Sequence, residues 1–388
     1  MSNPTSAQLL VQEQVQDWVG NITHAPGVCV AVYDESSFKT DGYVFPFGQL
    51  GVDDSTLVTT DTVFELASVT KVFTSTLLAL FVQTGNAWLT DTLGTWLNYD
   101  HTFDPSQIGS AILDSITLQQ LATHTSGMPG QPGPGFANYN QQLFADQLPT
   151  IVIPWWNKYA TSPPNPPCWQ YSNAGFVTLG YALTQMYPVD QGHNYNEILQ
   201  KFIASLLGMM HTTSIVESSW QVATGCNAHF TKSGVINVPT NEVDFGISST
   251  GDDMLMFLKA QLHPPPVGPG TQPPIGPAIL LTQQEQNDYP ICDSQNKSVT
   301  MGLGWQITYD TQKRAIFAKD GGTSRGGFQS FVTFVPGLDC GVAVLSNQCV
   351  GQDYPKGALA GALAENIIQA LHPDFALAEP LPAPDLSV

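Results

Sequence analysis

The stretch Phe64-Glu65-Leu66-Ala67-Ser68-Val69-Thr70-Lys71, continuing to Gln83, decides how the rest of this chain is read. From Ser68 to Gln83 the residues favour helix and are apolar on nearly every face, the mark of a helix sunk in a core. Gly85 is a natural stop. Residues i and i+3 share a helical face, so the Lys71 amine is expected beside the Ser68 hydroxyl. A serine hydroxyl is a poor nucleophile until a base takes its proton, and desolvation favours the neutral amine that can do so. A helix-capping serine followed by a surface lysine is the plainer alternative. A helix that is apolar all round leaves that lysine no water-facing side.

Upstream, Leu10, Val11, Val15, Trp18 and Val19 repeat at helical spacing, Val28 to Tyr33 reads as a strand, and another is expected within Tyr43 to Gly51. Downstream, helical patterns separated by Pro/Gly loops run from about Asp91 to His263, and Pro264 to Pro277 reads as a surface excursion. Then come short alternating runs: Gly304 to Thr308, Ala315 to Lys319, Phe328 to Val335 and Gly341 to Leu345. Turn residues separate them, as in an antiparallel meander, and Ala358 to Leu371 closes the chain as a helix. Strands at both ends with helices between predict an α/β (α+β) fold. One antiparallel sheet is built from residues 1–66 and 290–388, a mainly helical part from 67–289, and the site lies in the cleft between them.

Composition narrows the function. The chain has 388 residues with 42% hydrophobic content, enough for a large core. Asp+Glu 32 against Lys+Arg 12 give a net charge of -20, which repels phosphate backbones and anionic membranes. Nucleic-acid and membrane-surface roles are therefore disfavoured, no apolar run is long enough to span a bilayer, and a monomer acting on a small molecule or peptide is expected. Arg314 and Arg325 are the only arginines, so each cation is informative. None of the six cysteines forms a C-x-x-C and no H-E-x-x-H occurs, so no metal or cofactor is expected. Buried free thiols are preferred over disulfides for these cysteines. The N-terminus has no basic segment followed by an apolar stretch. A cytoplasmic protein, or a periplasmic or secreted one already processed, is compatible with that.

Two further motifs follow the first. Tyr171-Ser172-Asn173 comes after a Pro-rich loop and before the helix Ala174 to Gln185. A tyrosine on such a loop can project into a cleft and relay a proton if nearby cations depress its pKa. A core tyrosine with a capping serine or asparagine is an equally good reading of those residues alone. Lys319-Asp320-Gly321-Gly322 ends a strand and Gly326-Gly327 opens the next. Glycines there let a sheet edge approach a substrate closely, and the Gly322 N–H could pair with that of Ser68 around a developing oxyanion. A hairpin turn with a solvated lysine is the alternative. Gly322-Thr323-Ser324-Arg325-Gly326 also matches the G-x-S-x-G nucleophile elbow, but an elbow needs a helix directly after it, and here an alternating strand follows. His124, in a Thr-Ser-Gly loop, reads as structural.

Taken in order, these motifs resemble the class C β-lactamase family and its relatives, the DD-peptidases and family VIII-type esterases. Phe64 to Lys71 is similar to the family's F-E-L-G-S-V-S-K, and Leu118 to Pro129 to its helix-and-loop signature. Leu207-Gly208-Met209, Ser249-Thr250 and Gly302-Leu303-Gly304-Trp305 fall where relatives carry L-G-M, S-T-x-x-D and G-L-G-W. The resemblance implies that Ser68 attacks a carbonyl, that Lys71 and Tyr171 handle protons, and that Asn173 and Gln131 contact the substrate. Lys319 would support Tyr171 and attract an anionic substrate. The implied activity is hydrolysis through an acyl-enzyme on β-lactam or D-Ala-D-Ala-type amides. Carboxylic esters, or a sensor that acylates without turnover, are the alternatives.

Three departures from the family pattern stand out. Asp320 replaces the threonine of K-T-G, putting a carboxylate at the site. Leu345-Ser346-Asn347-Gln348-Cys349 keeps the first asparagine of L-A-N-K-N but carries Cys349 at the second. Ser324-Arg325 is inserted before Gly326-Gly327, and Arg325 is a candidate to anchor a carboxylate from a new direction.

Overall fold

Val28, Val30 and Val32 alternate with Cys29, Ala31 and Tyr33 along one strand, and all six are buried. An antiparallel strand commonly leaves one face to water, so burial on both requires cover on both. The structure is a computed structural model that describes residues 4–97, 113–130, 163–187, 195–227, 246–267, 273–292, 294, 297–323, 327–349, 357 and 359–379. Its elements, in chain order, begin with α1 (Ser6–Asp17), β1 (Gly27–Asp34), β2 (Tyr43–Gly51), β3 (Asp54–Leu57) and β4 (Phe64–Glu65). Next come α2 (Thr70–Gln83), α3 (Leu118–Ala122), α4 (Asn173–Met186), β5 (Cys226–Asn227), β6 (Ser248–Ser249), α5 (Gly251–Leu262) and α6 (Ile275–Gln283). The C-terminal part holds β7 (Asn287–Pro290), β8 (Ser298–Met301), β9 (Gln306–Tyr309), β10 (Ala315–Thr323), β11 (Phe328–Val335), β12 (Cys340–Ser346), β13 (Gln348–Cys349) and α7 (Ala360–Leu371).

Among the described residues, nine strands form one antiparallel sheet in the order β3-β2-β1-β12-β11-β10-β9-β8-β7. The chain's two ends meet where β1 pairs β12, Val28 opposite Ser346 through Asp34 opposite Cys340. One face of β1, with Val28, Val30 and Val32, packs with Val11 and Val15 of α1 and Leu363, Ile367 and Ile368 of α7. The other face joins a larger core that includes Phe73 and Leu77 of α2, Phe176 of α4 and Phe257 of α5. Among the described residues no helix is long and apolar enough to cross a membrane.

Three details differ from the sequence reading. Ser68 lies in a 3-10 turn, Ala67–Val69, that precedes α2, and Ala67 adopts φ +47. The tight turn still brings residues three apart onto one side. Helix α6 begins inside the Pro-rich segment, with Pro277 in its first turn, where a missing N–H breaks no helical hydrogen bond. One cysteine pair, Cys168–Cys292, is a disulfide between two polar loops, whereas Cys29, Cys226, Cys340 and Cys349 are buried free thiols.

β9 pairs with β10 only from Ala315 to Ala318, so Lys319 to Thr323 run on past their neighbour. That overhanging edge faces the turn of Ser68. A Cβ on Gly321 would lie 2.4 Å from the Leu66 carbonyl oxygen and 3.2 Å from the Ser68 nitrogen. No side chain fits in that contact.

Candidate active site

Lys71 occupies the second position of α2, a helix whose residues from Thr70 to Phe81 are all buried. Lys71 Nζ stands 3.0 Å from Ser68 Oγ, with Lys71 fully buried and Ser68 7% exposed. The Tyr171 phenol donates to the same Oγ at 2.8 Å. Two groups able to hold or pass a proton therefore meet at one accessible hydroxyl. The Lys71 ammonium also lies 5.2 Å from the centroid of the Tyr171 ring.

Tyr171 is placed by contacts that its own sequence does not announce. Trp169 N–H donates to Pro290 O at 2.7 Å and Cys292 N–H to Trp169 O at 3.0 Å, beside the Cys168–Cys292 bond. These tie the tyrosine loop to the end of β7. From the other side, His124 packs its ring 4.5 Å from that of Tyr171. His124 Nδ1 accepts from the Ser172 N–H at 3.1 Å, and its carbonyl accepts from Gln170 N–H at 2.8 Å. Burial, then the charges of Lys71 and Lys319, hold the imidazole well below its usual range, so it is the neutral ring that accepts. The sequence reading of His124 as structural leaves this placement of Tyr171 unseen. An imidazole in a Thr-Ser-Gly loop carries no signal of what its ring will touch.

Ser172 caps α4, accepting from Gly175 N–H at 2.8 Å and donating to Pro129 O at 2.7 Å. Asn173 follows, fully buried, and neither Nδ2 nor Oδ1 has a hydrogen-bond partner among the described residues. A buried amide left without partners is costly. Its donor and acceptor can be satisfied by a substrate amide.

Lys319 lies beyond the phenol, its Nζ 5.4 Å from the Tyr171 ring centroid. The ammonium donates to Asp320 O at 2.6 Å and to Asp320 Oδ1 at 3.0 Å. Both side chains are nearly buried, 3% and 8% exposed. Gly321 and Gly322 follow on the overhanging edge, and Ser330 Oγ on the next strand donates to Leu66 O at 2.6 Å, fastening the Ser68 turn to the sheet. Asn347 is fully buried and holds backbone together rather than facing the site. Its Oδ1 accepts from Gly27 N–H at 2.7 Å, and its Nδ2 donates to Leu50 O at 3.0 Å. Gln131 and Arg325 lie outside the described residues. The strand β11 after the G-x-S-x-G run is the opposite of what an elbow requires.

One more carboxyl stands three residues before Ser68. Burial pushes Glu65, on the strand leading into Ser68, up to about 8 from 4.5.

The family model described as Beta-lactamase matches residues 10–366 of the chain. The chain belongs to the β-lactamase family. It is 23% identical over 379 residues to a Beta-lactamase of Pseudomonas fluorescens, covering 89% of this chain and 93% of that protein. It is 27% identical over 290 residues to the D-alanyl-D-alanine-carboxypeptidase/endopeptidase AmpH of Escherichia coli strain K12, covering 74% of this chain and 71% of that one. A solved class C β-lactamase superposes with a TM-score of 0.74 at 21% identity, covering 94% of this chain and 96% of its own. The fold is therefore that of class C β-lactamases, a large antiparallel sheet flanked by helices.

Proposed function

We propose that this chain hydrolyses a carboxylic acid derivative through an acyl ester on Ser68, in the cleft between the sheet part (1–66 and 290–388) and the mainly helical part (67–289). The observation that carries the reading is that Ser68 Oγ bonds at once to Lys71 Nζ and to Tyr171 Oη. In acylation Tyr171, in its ionised form, takes the Ser68 proton as Oγ forms its bond to the carbonyl carbon. The N–H groups of Ser68 and Gly322 receive the oxyanion. Collapse breaks the bond to the leaving group, which takes its proton from Tyr171. Water then repeats the sequence in reverse, Tyr171 accepting its proton, and frees the acid. Lys71 and Lys319, with Nζ 5.2 Å and 5.4 Å from the centroid of the phenol ring, set two positive charges beside it. Asn173 orients the substrate amide.

β-Lactam or D-Ala-D-Ala-type amides are the leading substrates, in line with the names of the relatives. Carboxylic esters are the second reading, favoured by the carboxylate of Asp320 against Lys319. A chromogenic cephalosporin, a short acyl ester and a D-Ala-D-Ala peptide should each be offered to the wild type and to Ser68→Ala, recording turnover and intact mass. Rapid turnover of one class, with a transient adduct on Ser68 and none in the variant, is expected. A lasting Ser68 adduct without turnover makes the protein a sensor. Neither adduct nor turnover with any of the three refutes the acyl-enzyme.

A further inference from the structure

We infer that Asp320 selects substrates by charge, so that the acyl donors this site takes are neutral or ammonium-bearing on the side that meets Lys319, and carboxylate-bearing donors are rejected. This rests on the acyl-Ser68 reading and takes its ester branch over β-lactam and D-Ala-D-Ala amides, whose carboxylates Asp320 would repel.

A lysine ammonium has three N–H donors. Here two go to one residue, the Asp320 carbonyl oxygen at 2.6 Å and Oδ1 at 3.0 Å. The third has no partner among the described residues, and the centroid of the Tyr171 ring lies 5.4 Å from the ammonium. That single donor suits a carbonyl or hydroxyl oxygen. A carboxylate arriving at that donor would bring a second full negative charge against the first, beside two ionic side chains only 3% and 8% exposed. Low exposure weakens solvent screening, so the repulsion is felt at close to its full local strength. The alternative, displacing Asp320 from Lys319, strands a nearly buried carboxylate without its partner, which is costly.

Among the described residues the other cation at the phenol, Lys71, gives its amine to Ser68 Oγ at 3.0 Å. His124 is held neutral. Glu65, with its pKa near 8, is mostly protonated at neutral pH and adds negative charge only in base. The chain as a whole carries a net charge of -20, so its long-range field also turns anions away and draws cations in. An excluded charge is as effective a specificity device as an added contact.

The test uses three phenyl esters of one acyl group, differing only at the meta position of the leaving phenol: carboxylate, carboxamide or aminomethyl. In the wild type, kcat/KM for the carboxylate ester should fall at least about tenfold below that for the carboxamide, and the aminomethyl ester should equal or exceed the carboxamide. Asp320→Asn and Asp320→Thr should raise the carboxylate ester relative to the carboxamide by about tenfold and lower the aminomethyl ester. Thermal melts, with burst acylation of Ser68 by the carboxamide ester, establish that each variant is folded and competent. Three esters within twofold of one another in the wild type, or a ratio that a folded Asp320→Asn leaves unchanged, overturns the charge selection and leaves the acyl-enzyme standing. Failure of all three to acylate Ser68 overturns both.

Discussion

The two walls of this site are built by different means. On one, Ser68 and Lys71 lie three residues apart across a single turn, and burial of the helix behind them does the rest. On the other, Tyr171 and Lys319 arrive from residues far away in the chain, held by a disulfide, a histidine ring and a strand that overruns its neighbour. The first wall has little freedom once its helix is packed. The second is fastened at points and can be unfastened at each. Local geometry follows from covalent spacing, whereas distant geometry must be secured by particular contacts.

The largest effect should come from the first wall. Lys71→Ala removes an amine at 3.0 Å from the hydroxyl, and single-turnover acylation should slow by about 10³-fold or more. A loss below about tenfold would move the proton-handling role to Tyr171 alone.

The second wall is challenged by replacing Cys168 and Cys292 together with serine. The bond closes a loop with a sequence separation of 124, and unfolding in urea should show a loss of about 2–4 kcal/mol. Because Trp169 and Tyr171 hang from the same loop, turnover should fall while the Ser68–Lys71 contact persists. Unchanged turnover would show that His124 and the Pro290 contact suffice to hold the phenol.

Glu65 sharpens the comparison through pH. Its folded pKa, about 8, lies above the ordinary 4.5, so between those values the folded chain holds a proton that the unfolded chain releases. Stability therefore falls as pH rises from about 4.5 to about 8 and is level above that. Glu65→Gln should flatten this slope. Relative to the wild type, the variant should gain on the order of 2 kcal/mol between pH 5 and pH 8.5, after discounting for the side chain's partial exposure. Parallel slopes in urea titrations would refute the burial of that carboxyl.

The smallest effect tests strain at the start of the first wall. Ala67 holds φ +47 where the resembling motif carries glycine. Ala67→Gly relieves the left-handed conformation and should raise stability by roughly 0.5–1 kcal/mol, read as a modest rise in Tm. A fall in stability would mean that the alanine methyl packs more usefully than its backbone costs.

Much of this is legible in the residues. The apolar helix after Ser68 and the run of alternating strands from Gly304 onward follow from periodicity, and strands at both ends of the chain suggest the single sheet in which β1 and β12 pair. So does the nearness of Lys71 to Ser68, because i to i+3 is a local relation. Tyr171 and Asn173 can be singled out but not placed, since a capping serine beside a core tyrosine would read the same. The disulfide runs against the expectation of free thiols, as two cysteines in separate loops give no sign of meeting until the loops are packed. Helix α6 is hidden by its prolines, which a first turn tolerates.

The sequence by itself determined most of the elements, the faces they bury and that a hydroxyl and an amine share one turn, because these depend on neighbours within a few residues. Only the tertiary structure decided that the Tyr171 phenol reaches that hydroxyl, that Gly321 lies against the Ser68 turn, and that the Lys319 ammonium is bound to the carboxylate next to it. Those facts depend on how distant segments pack and on which way a side chain turns at the end of a strand, and no spacing along the chain encodes either.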